Sequence, residues 1–224
     1  LRSIYEQKVF NHHLVEEHQL TEETTDSGRV YITPTGERLR SVTTVLGDKL
    51  DKSWLIEWKR RVGVTEAKKI SQRALLRGST IHGVCERYVR NDPDYLKGVL
   101  PVHVPMWGPI KRVLDEHVDD IWGIELPLYS LVLKTAGRTD LVAKYDGVPS
   151  IIDYKTSKKV KTEGQILSYF YQSTAYSMMF GARYNIQIPQ IVIIITVDGE
   201  IKPQVFVKER GQFVNKVLEI FCGD

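Results

Sequence analysis

The stretch Gly137-Arg138-Thr139-Asp140-Leu141, running through Tyr145-Asp146-Gly147-Val148 to Ile151-Ile152-Asp153-Tyr154-Lys155, decides how this chain is read. Asp-Gly between two apolar, β-branched runs is a hairpin signal, because both central turn positions need a positive φ that Asp and Gly tolerate. With Asp146 and Gly147 at the turn, Tyr145 opposes Val148 and the numbers of every further pair add to 293. Asp140 then falls opposite Asp153, with β-carbons roughly 4.5–5.5 Å apart. Two like charges at that distance repel unless a cation lies between them. Pro149 adjoins the turn, and a slip of one residue would send the two carboxylates to opposite faces.

Side chains two apart share a strand face, so Lys155 points with Asp153 while Tyr154 points away. Two acids and a lysine on one face suit phosphodiester hydrolysis with a divalent metal. Hard carboxylate oxygens hold Mg²⁺ or Mn²⁺, and a metal so held lowers the pKa of water and neutralises charge on the phosphate. The lysine can orient or deprotonate the water, or donate to the phosphate. The same acids also suit a structural role flanking a turn, paired with Arg138 or Lys155.

Working outward, residues 124–133 read as a further strand, making an antiparallel meander with the hairpin strands 138–145 and 150–155. A helix over 163–180, ended by Gly181, separates the hairpin from strands at 191–197 and 204–207, so a βαβ crossover is expected, and a helix from Glu209 closes the chain. Upstream, the alternation at Val30 and Ile32, a Pro34 to Gly36 turn and the β-branched run 42–45 suggest a small hairpin after a loosely attached arm, residues 1–28. A helix of about three turns carries Trp54, Ile56 and Trp58, both tryptophans read as packing residues, and ends near Gly63. Thr65 is the expected cap of a long second helix with Ile70, Ala74, Ile81, Cys85 and Tyr88 as its buried stripe. Residues 91–105 read as a connector and 106–121 as helix. The fold class is α/β with a mixed central sheet flanked by helices and a helical N-terminal half, divided as an arm and hairpin over 1–40 and a main domain over 41–224.

The composition, 224 residues with 42% hydrophobic and 26% charged, excludes disordered and collagen-like chains. The longest apolar run, 191–195, is strand-sized, so no membrane partner is expected. Cys85 and Cys222 are too few for an iron-sulfur cluster or a structural zinc site and fit a reducing compartment. Glu16, Glu17, Glu22 and Glu23 are unlike a signal or transit peptide, so the expected setting is intracellular. The net charge is only +3, yet residues 49–77 hold nine Lys and Arg against Asp51, Glu57 and Glu66, and Lys155, Lys158, Lys159 and Lys161 form a second block. Such blocks suit phosphates, though solvated helix and loop faces carry them too.

Asp140 followed by Asp153-x-Lys155 on adjacent strands resembles the active-site signature of the PD-(D/E)xK nuclease superfamily. Gly78-Ser79-Thr80-Ile81-His82 is similar to the upstream Gly-xxx-His element of its RecB-like branch, and Gln172-Ser173-Thr174-Ala175-Tyr176 to its downstream Gln-xxx-Tyr element, all in the family order. Within that branch, Ser41-Val42-Thr43-Thr44-Val45-Leu46 before a Trp-containing helix, the surroundings of His82, and the run from Asp153 through Thr156 and Ser157 to Lys158 are similar to the mitochondrial genome maintenance exonucleases and their phage relatives. The resemblance covers the chain from about Tyr31 to the last helix. Thr139 stands where the superfamily name has proline.

The resemblance implies a restriction-endonuclease-like fold and a metal-dependent DNA exonuclease acting on single-stranded ends, with the nuclease domain over 41–224. It implies His82, Asp140, Asp153 and the Tyr154 carbonyl as ligands of Mg²⁺ or Mn²⁺, Lys155 as the catalytic lysine, and no iron-sulfur cluster. An imidazole in the site favours manganese. Gln172 and Tyr176 are expected to contact DNA or brace the lysine, and Thr156, Ser157, Lys158 and Arg77 to contact DNA. Glu86 shares a helix face with His82 and is expected to orient it. Gly78 is expected to serve close approach of a strand or substrate. Gln165, Tyr169, Gln172 and Tyr176 form a polar and aromatic stripe that suits stacked bases, or equally a solvent-facing edge for the first two. Partners would be DNA and replication or recombination proteins, in a host bacterial cytoplasm for a phage protein or in a mitochondrial matrix. A non-catalytic DNA-end-binding module of the same fold and a structure-specific endonuclease fit the same residues.

Overall fold

In the computed structural model, which describes residues 6–51 and 53–223, the Asp146-Gly147 turn has both residues at positive φ, 51° and 77°. It joins β5 (Thr135–Tyr145) to β6 (Val148–Ser157), and Tyr145 pairs with Val148 as the turn chemistry requires. β4 (Val118–Ser130) completes the meander on the other edge of β5. From β6 the chain crosses through α5 (Leu167–Tyr184) to β7 (Gln190–Val197), which lies parallel to β6, and β8 (Gln204–Glu209) pairs antiparallel beyond it. α6 (Val214–Cys222) ends the fold.

The N-terminal half contains strands as well as helices. β1 (Thr21–Thr25), β2 (Gly28–Ile32) and β3 (Arg38–Ser41) form an antiparallel unit, and β3 joins β5 in parallel at Arg40↔Thr135 and Ser41↔Ala136. The β-branched run 42–45, expected as strand, begins α1 (Val42–Lys49), because the Ser41 hydroxyl caps it by accepting from the Thr44 amide at 3.0 Å. Next come α2 (Ser53–Val62), α3 (Val64–Val89) and α4 (Val104–His117). α3 starts after Gly63 at φ 84° rather than being capped by Thr65, and α5 ends at Asn185 in the left-handed region rather than at Gly181. Residues 6–16 are not a loose arm: Phe10 is buried, its amide donates to the Asn91 side chain at 2.8 Å, and the His13 amide donates to the Ile121 carbonyl at 2.7 Å. The Trp54 side chain and Lys52 lie outside the described residues; Trp58 is half-buried.

One mixed sheet of eight strands results, with helices on both faces. Ile152, Tyr154, Val192 and Ile194 pack with α3 and α4 on one face, while Ile151, Ile191, Ile193 and Ile195 pack with α1, α5 and α6 on the other. β7 is buried along nearly its whole length, as a strand covered on both faces must be. α3 is anchored by its second half, Ile81 to Val89, whereas its first half exposes Lys68, Lys69, Arg73, Leu75 and Leu76. Among the described residues no helix is long and apolar enough to cross a membrane.

Candidate active site

β4 follows one edge of β5 in constant register from Ile124↔Leu141 to Ser130↔Thr135, skipping only the position of Glu125 and Asp140, so β6 and β3 must share the other edge. β6 pairs as far as Leu141↔Ile152, and β3 takes over only at Ala136. Between them residues 137–140 have no strand partner on that edge. The pair Asp140 and Asp153, next in the hairpin register, is where the two strands part. There the Asp140 side chain replaces the ladder: its Oδ2 accepts from the Tyr154 amide at 2.8 Å. A fork of this kind opens the sheet and leaves both carboxylates at its mouth.

α3 brings His82 to the fork, with Nδ1 3.3 Å from Asp140 Oδ1. Glu125, which the sequence reading did not single out, arrives from β4. It lies between the pairs Ile124↔Leu141 and Leu126↔Thr139, hence beside Asp140, and its φ is 49°. A left-handed glutamate within a strand is strained by about 1–3 kcal/mol. Donor atoms of His82, Glu125 and Asp140 lie within 4.8 Å of one another. The signal that could have found Glu125 is an acid on the strand next to Asp140, visible once the β4–β5 register is fixed.

Asp153 lies on the other side of Asp140, in an ion pair with Lys155. Both point toward α5, where Gln172 Nε2 donates to Asp153 Oδ1 at 3.4 Å and the Lys155 ammonium sits 5.1 Å from the Tyr169 ring centroid. Of the four ligand positions read from the sequence, His82 therefore groups with Asp140, adjoined by Glu125, while Asp153 pairs with Lys155. The Tyr154 amide bonds Asp140, and its ring is buried edge-on to His82 at 6.1 Å.

The charges are mutually dependent. Burial pushes the Glu125 carboxyl up to about 7, with the Asp140 charge adding to the effect. Burial also raises Asp153, to about 6, against the pull of Lys155. Burial would raise Asp140 as well, but His82 and Lys155 outweigh it and hold the carboxyl below its usual range. For His82 and Lys155 burial opposes the charged form, yet the neighbouring carboxylates prevail and both are raised. An imidazole with two carboxylates is a donor set that accepts Mn²⁺ at least as readily as Mg²⁺.

Other residues singled out in the sequence have structural contacts of their own. Tyr176 is only 3% exposed, and its phenol packs onto Gly137, where a β-carbon would stand 3.0 Å from the ring. That is why residue 137 must lack a side chain. Ser157 is buried and closes a turn, its hydroxyl donating to the Lys159 carbonyl at 2.6 Å. Gln165 lies outside α5 and accepts from the Thr162 amide in a capping box instead of extending the stripe. Glu86 pairs with Arg90 at 3.1 Å, not with His82. At Gly78 a β-carbon would meet only the Thr156 hydroxyl at 3.9 Å, so close strand approach does not require glycine there. Arg77 donates to the same hydroxyl at 3.4 Å, while Lys158 and Lys159 are exposed. No family model matches this chain, and no curated protein matches it.

Proposed function

We propose that this protein is a metal-dependent DNA exonuclease of the PD-(D/E)xK kind, with a restriction-endonuclease-like sheet, hydrolysing phosphodiester bonds from single-stranded ends. The observation that carries the reading is the meeting of Asp140, Asp153 and Lys155 with His82 and Glu125 at one strand fork. Three partly or fully buried carboxylates repel and are poorly solvated, a cost that a purely structural role does not require and that a bound dication relieves.

His82, Glu125 and Asp140 would hold Mg²⁺ or Mn²⁺, with Asp153 bordering them. When bound, the ion supplies positive charge that acidifies water and offsets charge gathering on the phosphate. Lys155 donates to the attacking water or to a phosphate oxygen, and its ion pair with Asp153 fixes the side from which it does so. The exposed cations of α2 and of the first half of α3, with Lys158 and Lys159, supply sequence-independent contacts to the phosphate backbone.

The test is release of nucleotides from an end-labelled single strand in Mn²⁺, with DNA binding measured separately in Ca²⁺. Asp153→Ala and Lys155→Ala should each abolish release and leave binding largely intact. Full activity in either variant removes the site assignment, and binding without release by the wild-type protein identifies a non-catalytic end-binding module. Cutting of a circular single strand identifies an endonuclease.

A further inference from the structure

The Lys155 ammonium has two close contacts in the site: the Asp153 carboxylate and the face of the Tyr169 ring, 5.1 Å from Nζ to the centroid. These differ in kind. Asp153 borders the metal donors, so its charge is shared once a dication is present, whereas the ring's quadrupole is not. We propose that Tyr169 is a positioning residue for Lys155, holding the ammonium in place by a cation–π contact when Asp153 is engaged elsewhere. This rests on the nuclease reading above.

The topology explains why α5 can do this. In a β6–α5–β7 crossover between parallel strands, the helix runs back against the strand direction. An earlier helix residue therefore faces a later strand residue. Tyr169 meets Lys155, and Gln172, one turn further along, meets Asp153. The two spans match well enough for both contacts to form, roughly 4.5 Å for three helical residues and roughly 6.7 Å for two strand residues. Tyr169 is half-buried against the apolar layer under α5, which limits its rotamers, and the Lys155 side chain is 19% exposed, so water competes little for the ammonium. The stripe on α5 thus has a division of labour: Gln172 orients the carboxylate, Tyr169 the lysine, and Tyr176 covers Gly137.

The test compares Tyr169→Leu, Tyr169→Met and Tyr169→Phe by steady-state kinetics on single-stranded DNA in Mn²⁺, with melting temperatures to establish folding. Leu and Met remove the ring; kcat should fall between about threefold and thirtyfold, with KM and Mn²⁺ affinity unchanged. Phe keeps the ring face and should restore most of the loss. A second readout is independent of activity. In protein carrying ¹³C-labelled lysine, with the Lys155 signal assigned by its disappearance in Lys155→Arg, the ε-methylene protons should be shifted upfield by the ring current. That shift should persist in Tyr169→Phe and vanish in whichever of Leu and Met folds. An unchanged kcat in the ringless variants overturns the proposal, as does a raised KM with intact kcat, the pattern of a base-stacking residue. Unshifted Lys155 protons in the wild type overturn it too. If the wild type releases no nucleotides, the nuclease reading fails, and the proton shift alone decides whether the ring holds the lysine.

Discussion

Glu125 offers the sharpest test of how the site stores unfavourable charge. In the native state its carboxyl is pushed up to about 7 from an ordinary 4.5, by burial first and by the Asp140 charge second. Between those two values the folded protein retains a proton that the unfolded chain has lost, so stability falls as pH rises from 4.5 to 7 and stays low above it. At about 1.36 kcal/mol per pH unit the full cost at pH 8 would be about 3 kcal/mol. The side chain is partly exposed, and solvent screening reduces this to about 1–2 kcal/mol. Glu125→Gln removes the charge while keeping the shape, so in a chelator at pH 8 the variant should melt about 2–6 °C higher than the wild type. At pH 4, where the carboxyl is protonated in both states, the difference should vanish. Mn²⁺ should reverse the order at pH 8, because the wild-type carboxylate gains a partner that the amide replaces poorly. Calorimetry of both proteins at the two pH values, with and without Mn²⁺, decides the matter. Equal melting at pH 8 in chelator, or an advantage of the same size at pH 4, would refute the account of Glu125 as a desolvated, repelled carboxylate.

Gly137→Ala should lower the melting temperature, through about 1–3 kcal/mol of overpacking against the Tyr176 ring. Combining it with Tyr176→Phe, which removes the phenol oxygen nearest the new methyl, should recover part of that loss, and strict additivity would show that the two residues do not clash. Gly78→Ala has room beside Thr156 and should raise stability by about 0.5–1 kcal/mol, read as a higher melting temperature. A lower melting temperature would show that the space is not free, and a more stable variant that digests DNA more slowly would show that substrate uses it.

How much of this was legible beforehand follows from the range over which each signal acts. The Asp146-Gly147 turn and the alternation around it set the hairpin register, and from it the common face of Asp153 and Lys155, because each operates within a few residues. The β-branched run 42–45 suggests strand by local propensity, but the Ser41 cap and the tertiary packing of Val42 and Leu46 make it helix. The polar stripe on α5 is legible only in part for the same reason. Spacing shows which residues share a face, not whether that face meets water or a sheet, and Tyr176 meets the sheet.

By itself, then, the sequence determined an α/β chain with an antiparallel hairpin, a crossover helix and a lysine beside an acid on one strand, since turn chemistry and strand alternation are local. Only the tertiary structure decided that the β5–β6 ladder stops at Asp140, that β3 occupies the far end of the same edge, and that His82 and Glu125 reach Asp140 from α3 and β4. Those contacts join residues far apart in the chain, 58 positions for His82 and Asp140 and 95 for Ser41 and Ala136. No short-range periodicity encodes them. They form because burying both faces of the sheet leaves the strands one arrangement, and the fork with its unbalanced carboxylates is where that arrangement leaves one edge of β5 unpaired.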